Sequence, residues 1–114
     1  MAPRNNPLKL NNLQLKTLTL VQEIARDPDY AETDEASGGP VIKGLPHAHG
    51  NHLHLGAYVV AGKDATGLHN PAVWTALERK GLVRQQPSGG VLVTEAGMAY
   101  ETGLRDQILH GSDH

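Results

Sequence analysis

Four histidines are concentrated in the stretch His47–His54, which reads HAHGNHLH. The central Gly-Asn pair suits the two-residue turn of a β-hairpin, which would place His49 opposite His52 and His47 opposite His54. Side chains alternate between the faces of a strand, so all four imidazoles would point to one side. The apolar neighbours would face the core on the other side: Ala48, Leu53 and Leu55.

Imidazoles that converge on one face are typical ligands of Zn²⁺ and other divalent transition metals. We therefore consider His47, His49, His52 and His54 candidate metal ligands. Two alternatives stay open: a solvated polar face with no ligand, and a proton-sensing cluster, because protonated imidazoles repel one another. The sequence places no general base beside the cluster, so we expect no enzymatic activity.

A second informative stretch runs from Ala65 to Gly97 and has the capping and turn residues of a helix followed by a hairpin. Asn70 suits the cap of the helix, Pro71 its first position and Gly81 the left-handed residue that ends it. An apolar stripe at helical spacing predicts the buried face, with Trp74 in the core: Val73, Trp74, Ala76 and Leu77.

After this helix the pattern predicts a strand from Leu82, a turn over Pro87–Gly90, a strand over Val91–Val93 and a helix that begins at Thr94. The order of elements, with LERKGLV over Leu77–Val83 at its centre, resembles the winged helix-turn-helix domains of MarR-like transcriptional regulators. The resemblance covers residues 65–97. It implies an α+β fold with an N-terminal helix, the histidine-rich hairpin, a recognition helix, a wing and a C-terminal helix.

In such domains the recognition helix enters the major groove of double-stranded DNA and the wing touches its backbone. The resemblance implies these nucleic-acid-binding candidates: His69, Asn70, Thr75, Arg79, Lys80, Arg84, Gln85, Gln86 and Ser88. It also implies a homodimer that forms through the terminal helices. Because the fold demands a helix near Gly56 or Ala57, we expect one there, although the propensity of Tyr58–Val60 favours a strand.

Composition and charge limit the function classes. The net charge of −2 argues against a strongly basic nucleic-acid binder, although His69–Thr94 carries three positive side chains against one negative. Cysteine is absent, which excludes disulfides, thiolate metal sites and a cysteine nucleophile. No run of about 18 apolar residues and no signal-peptide pattern is present, so we expect a cytoplasmic protein without a membrane role.

The length of 114 residues indicates one domain. We expect a loose arm over residues 1–7, a short strand over residues 8–10 and a helix from Asn11 or Asn12 to Arg26, in a stretch that partly alternates like a strand. Residues 28–40 are predicted to form a mobile acidic loop, which could dock a basic partner. A helix is expected from Glu95 to Leu109, and then a loose tail over residues 110–114, in which the histidines have no assigned role.

The leading prediction is a winged-helix DNA-binding protein, a transcriptional regulator whose histidine cluster senses a metal. The alternative is a protein-interaction or metal-binding module that has the same fold, has no enzymatic activity and does not bind DNA.

Overall fold

The computed structural model describes residues 6–111 as an α+β fold with two four-stranded antiparallel sheets. Residues 1–5 and 112–114, which include most of the predicted arm and the end of the predicted tail, lie outside the described residues. The helices are α1 (Asn12–Ala25), α2 (Pro71–Arg79), α3 (Glu95–Ala99) and α4 (Arg105–Ile108), with 3₁₀ turns η1 (Gly62–Asp64) and η2 (Thr66–His69). Among the described residues, no helix has the length and apolar character needed to cross a membrane.

The strands, numbered in chain order, form two sheets. Sheet A contains β1 (Ala31–Thr33), β2 (Pro40–Ile42), β6 (Val83–Gln85) and β7 (Val91–Val93), in the spatial order β1-β2-β7-β6. Sheet B contains β3 (Ala48–His49), β4 (His52–Leu55), β5 (Tyr58–Ala61) and β8 (His110–Gly111), in the order β3-β4-β5-β8. Three strands of sheet B (β3, β4 and β5) lie in the chain between β2 and α2, and the fourth lies after α4. Sheet A is therefore assembled from strands that are distant in the sequence.

Helix α1 is the centre of the core, and its prediction is confirmed. The Asn11 side chain accepts a hydrogen bond from the Gln14 amide (2.8 Å), while the Gln14 side chain accepts one from the Asn11 amide (3.0 Å). This reciprocal capping box fixes the start of the helix. The fully buried side chains of α1 meet α2, η2 and sheet A: Leu18, Leu20, Val21 and Ile24.

The predicted strand over residues 8–10 is wrong, because Asn6 closes a turn there instead. Its side-chain amide donates to the Leu10 carbonyl (3.0 Å), and its side-chain oxygen accepts from the Leu10 amide (3.1 Å). Lys9 takes a φ of 55°, which is incompatible with a strand.

The acidic loop predicted over residues 28–40 lies for the most part in the β1–β2 hairpin. The Asp34 carboxylate accepts hydrogen bonds from the Ser37 amide (2.9 Å) and the Ser37 hydroxyl (2.7 Å). These bonds hold the pKa of Asp34 below its ordinary value. Gly38 supplies the left-handed residue with a φ of 77°. Side-chain turn chemistry, rather than strand propensity, therefore orders this segment.

The helix expected near Gly56 is absent, and a strand stands in its place. Tyr58–Val60 pair with β4, as their propensity indicates, and Gly56 takes a φ of 59° in the tight turn between the strands. Between β5 and α2, the chain is helical only in the 3₁₀ turns η1 and η2.

The continuous helix expected from Glu95 to Leu109 is divided into α3 and α4. Tyr100 is extended (φ −66°, ψ 129°), and Gly103 takes a φ of 74°. The buried Gln22 side chain donates to the Gly97 and Tyr100 carbonyls, each at 2.8 Å, and so satisfies the carbonyls at the break. The long terminal helix expected to form a dimer interface is therefore not present.

Candidate nucleic-acid interface and histidine face

Helix α2 has the predicted cap, first residue and end. The Asn70 side chain accepts a hydrogen bond from the Ala72 amide (3.0 Å), Pro71 occupies the first turn, and Gly81 has a φ of 78° just after the helix. Val73 and Leu77 are buried. The side chain of Asn70 is thus engaged in capping.

The opposite side of α2 is exposed, including the candidates Thr75 and Arg79, and His69 at the end of η2 is exposed as well. Trp74, which was predicted in the core, is half-buried at the edge of this face and packs against the core from outside. Its indole Nε1 donates to the Leu68 carbonyl (2.8 Å), which fixes η2 against α2. The helix therefore presents a polar surface on a rigid support.

Lys80, like Asn70, is a candidate whose side chain has a structural role. Its Nζ donates to the Leu8 carbonyl (2.9 Å) and holds the N-terminal segment beside the end of α2. Arg79 and Arg84 are exposed and add further positive charge near this face.

The β6–β7 hairpin forms as predicted and carries the other candidates. Arg84, Gln85 and Ser88 are exposed, whereas Gln86 is half-buried. The Gln86 amide donates to the Gly90 carbonyl (3.0 Å) and closes the tip, where Gly90 has a φ of 85°. The Gln85 amide donates to the Glu78 carboxylate (3.0 Å), which ties β6 to α2.

The acidic β1–β2 hairpin lies beside the tip of the β6–β7 hairpin, a neighbour that the sequence did not reveal. A shallow cleft of about 350 Å³ is lined on one side by Glu32, Asp34 and Glu35 and on the other by Ser88 and Gly89. Lys43 reaches across the base, where its Nζ donates to the Gly89 carbonyl (3.4 Å). The tip is consequently surrounded by more negative than positive charge.

An apolar groove of about 470 Å³ runs between the start of α2 and sheet A. Trp74 and Pro71 line it from the helix, while Ile42, Leu45 and Val91 line it from the sheet side. Sequence reasoning missed this groove because its walls are separated by up to 49 positions in the chain, from Ile42 to Val91.

The histidine hairpin has the predicted register at its turn: His49 pairs with His52 and Ala48 with Leu53. Gly50 has a φ of 67° and Asn51 does not have a positive φ, as in a type II′ turn. Leu53 and Leu55 are buried as expected. Ala48 is exposed rather than part of the core, because β3 is the outermost strand of sheet B.

The membership of the histidine face differs from the prediction at both ends. His47 is exposed and precedes β3, so its predicted pairing with His54 is not formed. His54 instead lies opposite Val59, and Val59 lies opposite His110. Residues opposite each other share a face, so His110, which was expected in a loose tail, belongs to the same face.

Three imidazoles of this face lie close together. The ring centroids of His52 and His54 are 5.0 Å apart, and those of His49 and His54 are 5.8 Å apart. The Nδ1 atom of His52 lies 3.5 Å from the Asn51 side-chain oxygen. As the side chains are placed, residues 6–111 contain no group of three or more histidine, cysteine, aspartate or glutamate side chains that could hold a metal ion.

Comparison with known proteins adds no relative: no family model, no curated protein and no solved structure matches this chain.

Proposed function

We propose that the protein is a winged-helix DNA-binding protein of the transcriptional-regulator type, with α2 as the recognition helix and the β6–β7 hairpin as the wing. DNA-binding domains of this kind place a helix in the major groove, where exposed polar side chains reach base edges. On this proposal Thr75 and Arg79 face the bases, and Arg84 and Ser88 approach the backbone.

The observation that carries the proposal is the arrangement of sheet A around α2. The hairpin that follows α2 pairs through β7 with β2, which gives the order β2-β7-β6, and α1 packs behind α2. The exposed side of α2 and the exposed hairpin are adjacent in the chain and joined by the Gln85–Glu78 hydrogen bond. This arrangement can present one continuous polar surface to a duplex.

A titration of duplex DNA with rising salt tests the proposal. Binding through phosphate contacts requires that the logarithm of the affinity falls linearly with the logarithm of the salt concentration. Arg79→Ala should weaken binding about tenfold or more, and Arg84→Ala should weaken it while reducing the salt slope by about one. Arg26→Ala, outside α2 and the hairpin, is the control. Absence of binding at low salt, or equal losses in all three variants, would contradict the proposal.

A second candidate function, protein interaction without DNA binding, is favoured by the cleft between the acidic hairpin and the wing. Glu32 and Glu35 would repel phosphates close to the tip but attract a lysine- or arginine-rich segment. Titration of a basic peptide against the protein, with a Glu32→Gln and Glu35→Gln variant as control, separates the two functions. Binding of the peptide but not of duplex DNA would favour this second function.

Homodimerisation is a separate proposal, drawn from the family resemblance and not from the observed helices. The molar mass from light scattering, measured over a range of protein concentrations, tests it. A mass that stays at one chain throughout would refute it.

A further inference from the structure

We propose that His49, His52 and His54 form a three-imidazole binding site for a divalent transition metal, with Zn²⁺ as the reference ion. The site lies on the open face of sheet B and does not depend on the proposed DNA binding. It uses three of the four histidines in the stretch His47–His54.

The hairpin brings the three rings to one place for reasons of strand geometry. His52 and His54 are two positions apart on β4, so they share a face at a separation of about 6.6–6.8 Å along the strand. His49 joins them from the neighbouring strand as the direct partner of His52. Two ligands on one strand and a third across the turn leave only side-chain torsions to adjust.

The distances between the rings suit a shared tetrahedral ion. With Zn–N bonds of about 2.0–2.1 Å, the centroids of two imidazoles on one tetrahedral zinc lie about 5 Å apart. The His52–His54 separation of 5.0 Å meets this value. The His49–His54 separation of 5.8 Å is greater, so the His49 ring must turn toward the other two rings to complete the set.

That adjustment is easily made. His49 and His54 are exposed, so their side-chain torsions can change without moving the core. His52 is half-buried, and Asn51 lies beside its Nδ1 atom at 3.5 Å. A hydrogen bond from Nδ1 to this amide oxygen would leave Nε2 of His52 free to bind the metal, in the way that outer-shell partners orient metal-binding histidines.

The same geometry excludes the other histidines of the region. His47 precedes β3 and is not held in the sheet, while Val59 separates His110 from His54. Three neutral imidazoles with no charged ligand suit ions from the nickel–copper–zinc group, and they leave a coordination position for water.

Zinc titration of the tag-free protein by calorimetry, checked against a chromophoric chelator, tests the site. We expect one zinc per chain, and we expect His49→Ala and His54→Ala each to weaken binding at least tenfold, because even the loss of an outer-shell partner costs about 10–100-fold. His47→Ala and His110→Ala are matched controls and should change the affinity less than twofold.

His49 and His54 are decisive because both are exposed, so that their replacement leaves the fold intact; circular dichroism checks this. Zinc binding that is equally tight in the His54→Ala variant, or weakened as much by His47→Ala, would overturn the proposal. The proposal would also be overturned if the wild-type protein bound zinc no more tightly than a variant that lacks all three histidines.

Discussion

At the scale of single residues, Gly67 is a clear constraint on the sequence. A methyl group at this position would overlap the hydroxyl of Thr17, which is buried on α1 and donates to the Leu13 carbonyl (2.8 Å). The close approach of η2 to α1 therefore requires a residue without a side chain.

We expect Gly67→Ala to lower the free energy of unfolding by about 1–3 kcal/mol through overpacking. Urea denaturation measures this loss. Gly111→Ala, where an added methyl group would meet no atom of residues 6–111 within 4 Å, should change stability little. Replacement of Thr17 by alanine removes the overlapping atoms, so Gly67→Ala should cost less in that background. Equal costs in both backgrounds would contradict the packing explanation.

Ser37 controls the ionisation of Asp34. Its hydroxyl and amide stabilise the charged carboxylate, so the pKa of Asp34 is depressed in the folded protein. This contribution to stability is complete above the unfolded pKa and is lost as the pH falls through the folded pKa. Ser37→Ala should raise the pKa of Asp34 toward its ordinary value of 3.8. A carbon-detected NMR titration of the Asp34 carboxyl measures the change, and an unaltered pKa would contradict the assignment.

At the scale of elements, the sequence predicted those whose signals are local. The cap and end of α2, the β6–β7 hairpin and the turn between His49 and His52 were predicted because each rests on a few neighbouring residues. The broken C-terminal helix could not be predicted, since Gln22, which satisfies the carbonyls at the break, is 75 positions away from Gly97. Likewise, His110 joined the histidine face only because β8 pairs with β5.

We therefore expect Gln22 to contribute more to the stability of the protein than an ordinary polar side chain of a helix does. Gln22→Met keeps the approximate shape but leaves the Gly97 and Tyr100 carbonyls without their donor. We expect a loss of about 1–3 kcal/mol in the free energy of unfolding, typical of buried groups that lose a partner. Gln107→Met, at an exposed position of α4, is the control. Comparable effects of the two substitutions would show that the two Gln22 hydrogen bonds make no special contribution to stability.

At the scale of the whole molecule, the distribution of charge affects how tightly DNA can bind to the proposed surface. The proposed DNA-facing surface holds Arg79 and Arg84, but the acidic hairpin lies at its wing end. If DNA binds there, the Glu32→Gln and Glu35→Gln double variant should raise the affinity at low salt, and the gain should shrink as salt screens the charges. Asp106→Asn, on α4 and outside this cleft, is the control. Unchanged affinity in the double variant would place the DNA away from the wing tip.

The hydrogen bond from the Gly62 amide to the Asn51 carbonyl (2.6 Å) joins the turn of the histidine hairpin to η1. A proton on this amide exchanges with solvent only when the turn separates from η1, so its exchange rate reports how often the turn is released from η1. Zinc bound to His49 and His54, on the two strands that the turn joins, should slow this exchange. The Gly62 amide thus offers a readout of how firmly the turn is held, at a residue that is itself no ligand.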